Sequence, residues 1–190
     1  MRFLVLLAAA LMLAGPAVAQ TTSDQMTFDV YLGGIRAGVM GVSGVTDGSR
    51  YSAAAKIRTS GLVGLVRDAG YDARSSGTVV NGRFVPTRYE EETDTGSRAN
   101  SAAMEYVNGV PQLKVYDPPQ EPRARDVDPA TQGGTLDPMT TIYALLRDVP
   151  RDAVCDVSLA IFDGRRQSAL ATAAPQADGH RSDGAIDLFA

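Results

Sequence analysis

From Thr27 to Leu32 apolar and polar positions alternate, with Phe28, Val30 and Leu32 on one parity and Thr27, Asp29 and Tyr31 on the other. The same period of two returns in Tyr51, Ala53, Ala55 and Ile57 against Ser52, Lys56 and Arg58, and again in Cys155, Val157, Leu159 and Ile161 against Asp156 and Ser158. Side chains on a strand point to opposite faces in turn, so each stretch predicts a strand with one face on a core and one in water. The pieces near 98–107 and 165–172 carry little alternation. Between such stretches stand Gly33-Gly34, Asp47-Gly48, Asn81-Gly82, Asn108-Gly109 and Asp163-Gly164. These pairs tolerate the positive φ of tight hairpin turns, so the chain predicts consecutive antiparallel hairpins. An internal echo, "NGRFVPTRY" and "NGVPQLKVY", sets a proline early in the second strand of two hairpins. A proline cannot donate to a ladder and is expected there at a strand start or sheet edge.

One segment departs from this period. In "LDPMTTIYALLRDVP", Asp137 suits an N-cap and Pro138 the first helical position. Met139, Ile142, Tyr143 and Leu146 fall on one face before Pro150. One amphipathic helix over 138–147 should therefore pack on the sheet. Two connections are not tight turns: "SGLVGLVRD", with Leu62, Val63, Leu65 and Val66 among glycines, and the proline-rich stretch 117–136. A loop of that second kind is functional or loosely ordered. The fold class expected is mainly β: an antiparallel, hairpin-rich sheet forming an open or partly closed barrel, with one amphipathic α-helix.

The N-terminus adds a compartment. Arg2, the apolar run Phe3–Leu13, a break at Gly15 and Pro16, and the small residues Ala17, Val18 and Ala19 make a signal peptide cleaved after Ala19. The run is too short for a permanent anchor, and no later segment suits a membrane span. The expected organisation is a signal peptide over 1–19, one β-rich domain over 20–175, and an irregular tail over 176–190. The expected location is the periplasm. With a net charge of −4 and no dense basic block, nucleic acid is not an expected partner. Aromatic residues make up 6% and tryptophan is absent, which argues against a large stacking surface.

Candidate chemistry is sparse. Cys155, the single cysteine, has no C-x-x-C companion. Its parity suits a small buried residue or half of a disulfide whose partner is missing. His180 alone cannot build a metal site. Asp126, Asp128 and Asp137 lack calcium-loop spacing, since Pro129 and Ala130 intrude. The run Glu90–Glu92 reads as a solvated strand end that blocks edge pairing. No nucleophile elbow or triad is visible, so no catalytic residue, metal or cofactor is assigned. The ligand-binding candidates are Arg123, Arg125, Arg165 and Arg166, which could clamp an anionic head group, and Leu62, Val63, Leu65 and Val66, which could line an apolar mouth or finish the core.

Together "DVYLGGIRAG", "TSGLVGLV", "YDARSSG", "NGRFVPTRY", "DPATQGGTLDPMTTIYALLRD" and "CDVSLAIFDGRR" resemble the exported bacterial family termed domain of unknown function 3108, in its alphaproteobacterial form. The resemblance spans about residues 28 to 170. It implies a periplasmic, β-rich protein and brings no activity. It also implies further strands and a second cysteine after the "FDGRR" hairpin, whereas this chain runs into "APQADGHRSDGAIDLFA". On that comparison the chain is expected to be C-terminally truncated and Cys155 to be half of a disulfide whose partner was lost. The expected function is a non-enzymatic periplasmic protein that binds or carries an amphiphilic, lipid-like small molecule. The alternative is an envelope scaffold or assembly factor whose partner is another envelope protein.

Overall fold

The computed structural model describes residues 21–61, 64, 68–147 and 157–172. The strands run β1 Thr22–Leu32, β2 Ile35–Thr46, β3 Arg50–Thr59, β4 Gly70–Val80, β5 Arg83–Asp94, β6 Ala99–Val107, β7 Val110–Pro111, β8 Val115–Asp117, β9 Ser158–Phe162 and β10 Gln167–Ala171. A helix, α1, covers Pro138–Leu146, and a 3-10 turn covers Pro129–Thr131.

The first eight strands form one sheet in the order β1 to β7, with β8 also on β6. Every pairing in it is antiparallel. The sheet is open: β1 is an edge, and β6 carries both β7 and β8 at the other end. β9 and β10 form a separate hairpin. It is tied on by a parallel bridge from Ile161 to Leu136, where the Leu136 amide donates to Ala160 (2.9 Å) and the Phe162 amide donates to Leu136 (2.8 Å).

The Gly and Asn pairs predicted as turns hold their positive φ values, including Asn81 at 51° with Gly82 at 77° and Asn108 at 53° with Gly109 at 75°. Such angles set a turn twist that matches the flanking strands. Both poorly alternating pieces are strands as well. In β6, Ala102, Met104 and Tyr106 are buried, and the alternation is blurred because Ala103 stands on the outward parity. The expectation for Leu32 is corrected. A register shift between Val30 and Tyr31 breaks the phase, and both Tyr31 and Leu32 end exposed at the hairpin tip.

Pro86 lies early in β5, where β4 is the only paired neighbour among the described residues, so it stands at a local sheet edge. The register jumps from Ser76–Arg88 to Gly77–Pro86, a bulge that skips Thr87. β6 pairs only from Arg88 onward, so Pro86 has no β6 partner to lose.

α1 lies across β2 to β5 and reaches β9. The sheet beneath it is paved with small residues, Gly44, Ala53, Ala55, Ala73 and Ser75, which lets the helix sit close. Gly44 is needed there because a Cβ would stand 2.2 Å from the Tyr143 ring. Tyr143, Met139, Tyr89, Met104 and Phe162 fill the remaining volume at essentially full burial. Among the described residues no helix is long and apolar enough to cross a membrane.

Candidate functional site

Polar groups collect in four places, and the first is the start of α1. Asp137 is the N-cap, its Oδ1 accepting from the Thr140 amide at 2.8 Å. Its Oδ2 accepts from Thr140 Oγ1 (2.7 Å) and from Ser75 Oγ on β4 (2.9 Å). Tyr51 reaches the same cluster through Thr140 Oγ1 at 2.7 Å. Among the described residues no cation pairs with the carboxyl, and its complete burial pushes its pKa up, a rise the hydroxyl and amide bonds only partly offset. Ser75 and Asp137 are thus a buried serine–carboxylate pair occupied in capping a helix, and no histidine among the described residues joins them.

The second place lies under β8. Lys114, 6% exposed, donates from Nζ to Glu91 Oε1 (2.7 Å) and to the Asp163 carbonyl (2.8 Å), and lies over the rings of Tyr89 and Tyr116. Glu91 Oε2 accepts from the hydroxyls of Tyr89 (2.6 Å) and Tyr71 (3.1 Å). Burial raises the pKa of both phenols, so they stay protonated donors. The expectation for Glu90–Glu92 as a solvated edge is corrected here. The run lies in β5 with β4 on one side and β6 on the other, and strand alternation turns Glu91 inward while Glu90 faces out.

The "FDGRR" hairpin turn is the third. Phe162 is core, Asp163 Oδ1 accepts from the amides of Arg165 (2.8 Å) and Arg166 (2.7 Å), and Gly164, at φ +97°, lies against the Lys114 stem. The Arg165 guanidinium meets Asp126 Oδ2 at 3.0 Å, donates to the Glu121 carbonyl and stacks over Tyr116. Asp126 Oδ2 also accepts the Arg123 amide at 2.8 Å. The turn therefore pins the long loop onto the end of the sheet, and Asp126, Asp128 and Asp137 serve separate local roles as ion-pair partner, 3-10 cap and helix cap.

The fourth is an open groove of about 580 Å³ on the sheet face opposite α1. Its outward side chains are Ser23 and Gln25 of β1, Ser43 and Val45 of β2, Ser52 and Ala54 of β3, Arg74 and Ser76 of β4, and Arg88 and Glu90 of β5. The register aligns them in rows, with Ser52 opposite Ser76, Arg74 opposite Glu90, and Ala54 between Ser43 and Arg74. Arg88 takes Glu90 Oε1 at 2.6 Å and Glu105 Oε1 at 2.6 Å. Arg74 forms no ion pair among the described residues, and the hydroxyls of Ser23, Ser43, Ser52 and Ser76 have no protein hydrogen bond there.

Of the residues named from sequence, Arg123 and Arg165 come together through Asp126, Arg166 follows in the same hairpin turn, and Arg125 is exposed in the loop beside them. None of the four lines the groove. Leu62, Val63, Leu65, Val66, Cys155 and His180 lie outside the described residues, as do the signal-peptide segment and the tail. The groove residues were missed because Ser, Ala and Arg on an outward strand face look like ordinary solvated positions. Only the serine recurrence at Ser43, Ser52 and Ser76 hinted at a hydroxyl-lined surface.

An open antiparallel sheet with one face covered by a helix and the other carrying a ligand-sized groove defines the structural class. Within that class the chain belongs to the family of proteins of unknown function DUF3108, whose model matches residues 27–173. No curated protein and no solved structure matches it.

Proposed function

We propose that the protein is exported to the periplasm, with its signal peptide cleaved after Ala19, and acts there as a non-enzymatic binding protein for an amphiphilic, lipid-like molecule. The observation that carries this reading is the groove. Its volume, about 580 Å³, falls in the range of small-molecule sites, and it sets apolar Val45 and Ala54 beside hydroxyls that no protein group uses among the described residues. The helix-covered face is filled by large side chains, which favours the outer face as the place for a ligand. A binding role also agrees with Ser75 and Asp137 being buried beyond the reach of a substrate.

The test is to isolate the mature chain from a periplasmic extract and quantify bound amphiphile by mass spectrometry, beside the groove-filling variant Ala54→Trp. A stoichiometric amphiphile that the variant loses supports the reading. An empty protein, or equal loading of the variant, refutes it. A second reading, an envelope scaffold, draws on Leu113 and Val115, which are 75% and 69% exposed beside the loop 117–136. Crosslinking from that loop to an envelope protein in cells would favour it.

A further inference from the structure

On the outward face of the sheet the basic side chains pair in succession. Arg36 takes Asp29, Lys56 and Arg58 take Asp72, and Arg88 takes Glu90 and Glu105. Arg74 breaks the series. Its neighbour in register on β5 is Glu90, the carboxylate expected to receive it, yet Glu90 Oε1 is held by both Nε (2.8 Å) and Nη2 (2.6 Å) of Arg88. On its other side, in β3, stands Ala54, which offers no acceptor. The groove therefore holds a guanidinium with its donors free, flanked by hydroxyls that are equally free among the described residues.

The placement of those hydroxyls is specific. Ser76 lies two residues along β4 from Arg74 and on the same face, on the order of 7 Å away along the strand, within the span of an arginine side chain. Ser52 lies directly opposite Ser76. A fork of N–H donors and two hydroxyl donors thus line one groove, and the one carboxylate among its outward lining side chains, Glu90, is held by Arg88 through Oε1. A planar carboxylate offers acceptors in one plane, whereas a tetrahedral phosphate offers three terminal oxygens that can meet the fork and both hydroxyls together.

We infer that the groove recognises a phosphate group, with Arg74 as its anchor and Ser52 and Ser76 as the hydroxyl donors that complete the cradle. This deepens the binding reading above and rests on the same groove. The phosphate could be the head of an amphiphile or a free ion, and the two sources separate by experiment.

Binding is measured by titration calorimetry with dihexanoyl phosphatidic acid, octyl glucoside and inorganic phosphate. The proteins are the mature chain, Arg74→Gln, and Arg83→Gln, which removes an exposed positive charge at the start of β5 outside the groove. The expected result is phosphatidate binding that falls at least tenfold in Arg74→Gln and is unchanged in Arg83→Gln. If inorganic phosphate binds through Arg74 while octyl glucoside does not bind and phosphatidate gains nothing from its chains, the phosphate inference holds and the amphiphile reading fails. If octyl glucoside binds as well as phosphatidate and Arg74→Gln changes neither, the phosphate inference is overturned and the amphiphile reading survives. No binding of any probe at millimolar concentration overturns both.

Discussion

Asp137 gives the sharpest test of the architecture, because helix, sheet and titration meet at one carboxyl. Replacing it with Ala removes the N-cap, a change that typically costs about 0.5–2 kcal/mol. The capping bond lost is that of the Thr140 amide, which is left buried without its acceptor, so the cost lies at or somewhat above the top of that range. The two hydroxyls lose less, since Ser75 Oγ can turn to the Arg88 carbonyl, 3.1 Å away, and Thr140 Oγ1 to Ser75 Oγ at 2.8 Å. The loss is about 2–3 kcal/mol, or a fall in Tm of roughly 4–12 °C for a domain of this size. Asp137→Asn separates the charge from the cap. Its amide oxygen still accepts from Thr140, its NH2 can donate to the hydroxyls, and the buried ionisation disappears. Because burial raises the folded pKa of Asp137 above the unfolded value of about 3.9, the native state holds this proton more tightly. The contribution is full below the unfolded pKa and is lost as pH rises through the folded one. Urea unfolding of wild type and Asp137→Asn at several values from pH 4 to 7.5 reads this directly, since other titrating groups cancel in the difference. Wild type should be most favoured relative to Asn at pH 4, and the gap should narrow or reverse as pH rises. A difference that stays constant, or that grows in favour of wild type with pH, would refute the raised pKa. An Ala variant melting within 1 °C of wild type would refute the capping argument.

Two further substitutions probe the packing around the site. Lys114→Met keeps the stem against Gly164 but strands Glu91 with only two phenol donors. A loss of about 2 kcal/mol in urea is expected, below the usual 3–5 for a buried pair because Glu91 retains some exposure, and adding Glu91→Gln should recover part of it; equal stability of Lys114→Met and wild type would show that the pair contributes nothing. Gly44→Ala places a methyl 2.2 Å from the Tyr143 ring and so should displace the 2.7 Å bond from its hydroxyl to Asp24, lowering stability by about 1–3 kcal/mol; an unchanged Tm would mean that α1 shifts freely over β2.

The residues differ in how much of this could be read along the chain. The turns at Asn81-Gly82 and Asn108-Gly109 were legible because positive φ is a local demand that few residues meet. The α1 start was legible for the same reason, since Asp137 and Pro138 satisfy requirements within one helical turn. Glu91 was misread because a run of three glutamates looks solvated until β4 and β6 close on both sides of it and period-two geometry sends the middle one inward. Ser75 carries no local sign that it would meet a helix cap 62 positions later in the chain. Arg74 is the clearest case: it has no ion pair among the described residues while Arg88 takes Glu90, its neighbour in register, a competition among side chains on neighbouring strands. The sequence by itself determined the strands, their turns, the helix and its cap, since each is set by conformational preferences within a few residues. Which serine and which carboxylate meet in the core, and which guanidinium is left over on the outer face, was decided only when sheet register fixed neighbours that lie far apart along the chain.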